Sequence, residues 1–524
     1  MATDMSNDPS QLNTLFQQQL TLAQARDEQL QLLHQSGPLL EVPPTGRIVS
    51  SAYEQLRNAA EYAEEHLLLE RAIKRFFKRN LLVAKRQQHD LGSELIIDLA
   101  QAGYLQGSQF SKATAEQLNQ LITQYVAVHG RLRQAHLARE TADDWVLALL
   151  STNAENLLNP HHLQRSTLVL AYQYFVRSIP RATLTDQGAA ADYELCLYIA
   201  VHQAILKSDI DIIRHDIHEL YQQPLDDTAG FISLSRRVDE LSASQLTHSL
   251  KRLVSRSGAP FRVLRSLTDS RPDVDTLLGT ANRFLEAYDR QIDEEYRQLD
   301  KRLARGLIKS IVFLIITKLL IGVAVEIPYD LLMHGSVIVL PLAVNLLFPP
   351  LYLTGLMLNL HLPGAANKQS LHAAINQLLY SEQPVEIRPP KRRRATARSR
   401  LAYAVLFAVP LIVTVLILQR LGFNIVQMAI FFVFFSTASF LGFRLSTLVR
   451  DLELTRRQTG LLASLQDFFY LPFVTLGQWL SRKYSRLNLV ARFMDIAIEL
   501  PLKSLLRLIQ QWMSFVRERH EELY

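Results

Sequence analysis

Four long apolar runs crowd residues 307–443, and no other feature limits so strongly what this chain can fold into. They span 307–325, 337–360, 401–418 and 423–443, each near the ~20 residues that a helix needs to cross a bilayer core. The expected architecture is all-α, with a four-helix transmembrane region built as two hairpins. Its orientation follows from charge, because lysine and arginine near the ends of spans are retained on the cytoplasmic side. Lys301, Arg302, Arg305 and Lys309 stand at the entry to the first run, and the connector 361–400 carries Lys368, Arg388, Lys391, Arg392, Arg393, Arg394, Arg398 and Arg400. Arg444, Arg450, Arg456 and Arg457 follow the fourth. By contrast, 326–336 has no lysine or arginine and 419–422 has only Arg420. The alternation predicts four crossings, with both termini and the middle loop in the cytoplasm.

The 524 residues hold 56 basic and 50 acidic side chains, a formal charge of +6. That excess sits beside the spans, where topology and anionic headgroups account for it, so no nucleic-acid partner is expected. A single cysteine, Cys196, excludes an internal disulfide and any multi-cysteine zinc site. The first ten residues are polar and acidic, unlike a cleavable signal.

Ahead of the spans the periodicity is helical throughout. Residues 11–35 predict a helix capped by Asp8 or Ser10, either packed or free for a partner, and Pro38, Pro43 and Pro44 mark 36–46 as a linker that closes the segment 1–46. From 48 to 85, Tyr53, Leu56, Ala60, Ala63 and Leu67 line one face, which broadens at Ile73, Phe76 and Phe77 amid Arg71, Lys74, Arg75, Lys78 and Arg79. Nearby glutamates offset that charge, so a core helix is expected there before a membrane-surface or nucleic-acid contact. Further helices are predicted at 94–102, 114–136, 142–158, 162–178, 190–207, 209–222, 231–255 and 273–303, and they give a soluble helical domain over 47–271. The last continues as a stalk, 272–306, whose stripe Leu285, Tyr288, Ile292, Tyr296, Leu299, Leu303 and Leu307 runs into the first span. Packing on its own domain is favoured over a coiled coil with a second copy.

Within the spans, Lys318 is the residue that most needs an explanation, since a charge in lipid demands a partner, a cavity or water. Candidate partners are Glu326, Asp330 and His334, with Asn345 and Asn359 across the bundle. The set reads either as a structural pair or as an ion or proton route. Pro341, Pro349 and Pro350 predict a kinked or re-entrant second segment. Ser436, Ala438, Ser439 and Gly442 predict close helix contact.

The remaining region, 444–524, reads as interfacial and amphipathic. Residues 461–480 are apolar but contain Gln466, Asp467, Pro472 and Gln478, and a crossing there would export Arg482, Lys483 and the basic tail. A segment lying in the interface, or dipping in and returning, is expected. The surface contacts with anionic lipid would come from Lys391, Arg392, Arg393, Arg394, Trp479, Arg482, Lys483 and Trp512.

The strings Leu471-Pro472-Phe473, Gly477-Gln478-Trp479-Leu480-Ser481, Ile498-Glu499-Leu500-Pro501-Leu502-Lys503 and Trp512-Met513-Ser514-Phe515-Val516-Arg517-Glu518 resemble the C-terminal part of uncharacterised multi-span proteins of small-genome candidate-phylum bacteria. The likeness covers about the last 60 residues, with a weaker echo at 53–79. It implies a bacterial inner-membrane setting and brings no activity with it.

Signatures for chemistry are sparse. Asp209, Asp211, His215, Asp216, His218 and Glu219 are the densest set of metal-type ligands. However, Gln222 stands where a zinc-protease helix would carry its second histidine, so a solvated helix face is expected, with no metal and no cofactor. Phosphate loops and nucleophile elbows do not occur in the sequence. The expectation is a non-enzymatic membrane scaffold, tether or assembly platform with a protein partner or a second copy. The alternative is an ion or small-solute channel or transporter built on Lys318.

Overall fold

A computed structural model describes residues 10–43, 51, 54, 67–83, 90–105, 110–160, 162–181, 192–271, 273–336, 338–358, 360, 362–381, 386–387, 397–454 and 461–487. In chain order the helices are α1 Gln11–Gln35, α2 Leu68–Phe77, α3 Leu91–Ala102, α4 Lys112–Gln134, α5 Arg139–Leu158, α6 His162–Ser178 and α7 Tyr193–Val201. They continue as α8 Ile210–Leu220, α9 Thr228–Ser242, α10 Gln245–Ser257, α11 Ala259–Ser270, α12 Val274–Leu277 and α13 Ala281–Ile321. The last are α14 Ile327–His334, α15 Val339–Leu358, α16 Ala365–Tyr380, α17 Ala397–Arg420, α18 Ile425–Arg450 and α19 Leu461–Leu487. Among the described residues there is no strand, only an isolated bridge between Leu39 and Ser111; the fold is all-α.

The helical domain has two apolar cores. The first gathers Phe16 and Leu20 of α1, Phe175 of α6, Ile213 and Ile217 of α8, Phe261 of α11, and Phe284, Tyr288 and Ile292 of α13. The second joins α2 to α5 through Ile73, Phe77, Leu95, Leu118, Ile122 and Leu150, with Phe231 added from α9. Thus α1 is packed. Ser10 caps it, its Oγ accepting from Asn13 N at 3.2 Å, while Ser10 N donates to Leu379 O of α16 at 3.0 Å. The stretch after α1 is tied to the start of α4, where Leu40 N donates to Phe110 O and Lys112 N to Pro38 O.

Two boundaries differ from the sequence expectation, each for a local reason. The helix predicted over 231–255 is broken at Ala243, because Ser244 Oγ accepts from Thr247 N and starts α10 anew. The stretch 256–272, where no helix is expected, holds α11: Gly258 and Pro260 open it, since a proline in the first helical turn gives up an N–H that has no helical partner there.

Three helical stretches are long and apolar enough to cross a membrane: 281–333, Val339–Leu358 and Ile425–Arg450. In α17 the described apolar part is Phe407–Arg420. Leu320, Leu332, Leu358 and Ile425 are 70 to 85% exposed on these helices, an outward apolar face that suits lipid and not water. These features mark a membrane protein. Inside, α13, α15 and α18 meet at Leu314, Leu353, Phe434 and Ala438.

The stalk and first span are a single helix, and α13 continues through a π turn, Gly322–Glu326, into α14. Pro349 and Pro350 lie inside an uninterrupted α15, and Pro341 falls in its first turn, so the second segment is not re-entrant. Likewise 461–487 neither dips nor returns. It is one helix, α19, packed across α18, with Phe473 4.2 Å from Phe435 between ring centroids and Tyr470 Oη donating to Ser439 O at 2.9 Å. A Cβ at Gly477 would overlap Ser436 O, so this crossing needs glycine.

Helical domain and membrane helices are also braced together. α16, within what reads as a basic loop, lies on α13: Asn367 bonds Tyr296 Oη and Leu452 O, and Lys368 pairs with Asp293 at 2.7 Å. Beyond α18, Asp451 pairs with Lys207 at 2.7 Å and its carbonyl accepts from Arg262 at 2.5 Å.

Candidate functional site

Two buried polar clusters stand out. The first is α8, which lies between the two cores. Its Ile213 and Ile217 face the first core, while Asp211, Arg214, His215, Asp216 and His218 are all buried against α2, α5, α6 and α9. The solvated face expected from sequence is therefore wrong, and the reason is that each neighbouring helix presents a complementary group. Lys74 of α2 pairs with Asp211, and Arg214 pairs with Asp239 of α9, which also accepts from Trp145 Nε1 at 3.0 Å. Arg165 of α6 pairs with Asp216 and, at 2.7 Å, with Glu219, while its Nη2 lies 3.2 Å from His215 Nδ1.

Two ligand triples are close enough to hold a metal, His215–Asp216–Glu219 and Glu70–Asp209–Asp211, with ligand atoms within 4.8 Å of one another. A cationic side chain already serves each of them. The Arg165 guanidinium bonds all three members of the first, and the Lys74 ammonium pairs with Asp211 in the second. A cavity of about 260 Å³ opens beside Arg165, bordered by Arg26, His162, Tyr198, Asp216 and Glu219.

Burial sets the protonation of this cluster. The Glu70 carboxyl is pushed up to about 8 by burial and by Asp209 and Asp211, so it is mostly protonated at neutral pH. His202 and His218 are both held down at about 4, chiefly by burial, and are neutral. Burial alone would raise the Asp216 carboxyl, but Arg165, then His215 and His202, bring it below the usual carboxylate range.

The second cluster lies among the membrane helices. Lys318 is 2% exposed and pairs with Glu326, which is fully buried in the π turn; the ammonium also lies 5.3 Å from the Phe434 ring centroid. Asn345 Nδ2 of α15 donates to Glu326 Oε1 at 3.0 Å and to Gln427 O at 3.2 Å. Asp330 turns to other partners: Asn424 Nδ2 donates to it at 3.0 Å, Gln427 Nε2 at 2.9 Å and Ile338 N at 3.3 Å.

Of the residues singled out from sequence, Lys318, Glu326 and Asn345 thus meet, and Asp330 joins them through Gln427. The side chain of His334 and residue Asn359 lie outside the described residues, as do Lys391, Arg392, Arg393, Arg394 and Trp512. Arg482 and Lys483 are placed on α19 with their side chains outside the described set, and Trp479 is exposed on the same helix. Sequence reasoning missed Asn424 and Gln427, although two amides opening an apolar run were a visible signal. It also missed Arg165, whose partners lie more than fifty residues away. No family model matches the chain, and the searches of curated proteins and of solved structures gave no match.

Proposed function

We propose that this chain is an integral platform of a bacterial inner membrane, holding a cytoplasmic helical domain at a fixed orientation for a protein partner or a second copy. The observation that carries the reading is α13, whose residues Phe284 to Ile292 belong to the domain core and whose Leu314 belongs to the membrane cluster. The braces at Asn367 and Asp451 add to it, because a mobile tether would have no use for three separate ties. The alternation of lysine- and arginine-rich with lysine- and arginine-poor connectors along the sequence supports four crossings with both termini inside. The basic residues from Lys391 to Arg394 and the C-terminal tail would then rest on anionic headgroups.

Extraction in mild detergent followed by pull-down and mass measurement tests the platform reading. A stable partner or homo-oligomer is expected, and a clean monomer without partners overturns it. A second reading, a channel or transporter, draws on the buried polar chain from Lys318 to Asp330. Ion or solute flux into liposomes that disappears in Lys318→Ala would put it first.

A further inference from the structure

Among the described residues, two acceptors in the membrane cluster have no donor: Glu326 Oε2 and Asn345 Oδ1, both on side chains with no exposed surface. The amide of Asn345 cannot be turned round to cure this, because both partners of its nitrogen, Glu326 Oε1 and Gln427 O, are acceptors. A third acceptor is nearby, since Pro349 has no N–H to give to the carbonyl of Asn345 four residues earlier. Buried acceptors without donors are costly in lipid, where no bulk water relieves them.

Charge points the same way. Among the described residues, Lys318 from α13, Glu326 from the π turn and Asp330 from α14 face this spot, while α15 gives the amide of Asn345 and the start of α18 those of Asn424 and Gln427. With all three ionised, one positive charge faces two negative ones. Asp330 receives three N–H donors and no described cation.

We infer that the Glu326–Asn345 pair takes up one monovalent cation, a proton or a sodium ion. Either species satisfies Glu326 Oε2 and Asn345 Oδ1 together and brings the cluster to neutrality. A proton on Oε2 would donate to Asn345 Oδ1, whereas sodium would be held by those two oxygens and the freed carbonyl, an oxygen-only set that suits a hard ion.

The test uses the full-length protein in lipid nanodiscs, comparing sodium with choline chloride at matched ionic strength and mildly alkaline with mildly acidic buffer. Sodium uptake would raise the thermal midpoint with sodium alone. Proton uptake would raise it in acid whatever the salt, with a carboxylic-acid C=O band in infrared difference spectra. Glu70 adds a pH response of its own, so the site is read from the difference between wild type and Glu326→Gln. The amide gives Asn345 a donor and removes the charge, so both responses should vanish. Wild type insensitive to both species, or unchanged responses in Glu326→Gln, overturns the inference. Should Glu326→Gln not assemble, Asn345→Asp adds a carboxylate and should lower the half-saturating cation concentration about ten-fold, equivalent to about 1.4 kcal/mol; no change there is equally fatal.

Discussion

The two buried polar clusters solve one problem with different means. In the helical domain, Lys74 and Arg165 reach α8 from two neighbouring helices while its own Arg214 reaches Asp239 of α9, and the Arg165 side chain keeps 23% of its surface beside a cavity. In the membrane the one described ammonium pairs with Glu326, and Asp330 is held by two amides and a backbone N–H. Where water reaches the edge, charge can be matched by many partners and each matters less; in lipid, one ion pair carries most of the burden.

The largest effect should therefore come from Lys318→Met, which strands Glu326 and should cost ~3–5 kcal/mol. Thermal midpoints in detergent should show it, and adding Glu326→Gln should restore most of the loss. Equal loss in single and double variants would break the comparison.

Next comes the pH profile of the helical domain. His202 and His218 have depressed values near 4, so their contribution is lost as pH falls from 6.5 towards 4. Glu70 is raised from 4.5 to about 8, so its contribution is lost as pH rises over that interval. Two histidines outweigh one glutamate below 6.5, and above it Glu70 acts alone. These groups give a stability maximum near pH ~6.5, with slopes of ~1.4 kcal/mol per pH unit on either side. Denaturation of wild type and Glu70→Gln across this range checks it, the alkaline decline being absent from the variant.

Arg165→Leu should cost less, about 2 kcal/mol, because water at the cavity can reach the stranded Asp216. A loss as large as that of Lys318→Met would show that the cavity screens nothing. The smallest effect is Ser10→Ala, which removes the cap of α1 and should cost about 1 kcal/mol by the same denaturation measurement.

What sequence made legible follows the same division. Three of the four expected spans, the stalk helix and the Lys318–Glu326 pair were readable because apolar length and helical spacing are local signals. The burial of α8 was not, because Asp211 and His215 look like a solvated face until Lys74 and Arg165 are folded onto them. Nor was α16, since a helix inside a basic loop is held by Asn367 and His372 against partners on other elements. Pro349 and Pro350 read as a kink or a re-entrant turn, and α15 carries both inside one continuous helix, which rules out the re-entrant form alone.

With 41 residues, α13 is a rod about 60 Å long. Since it is gripped at Tyr288 by the helical domain and carries Lys318 further along, it acts as a crankshaft between the two phases. Turning the domain about that axis turns the ammonium by the same angle, so the helical domain and the intramembrane ion pair share one mechanical coordinate.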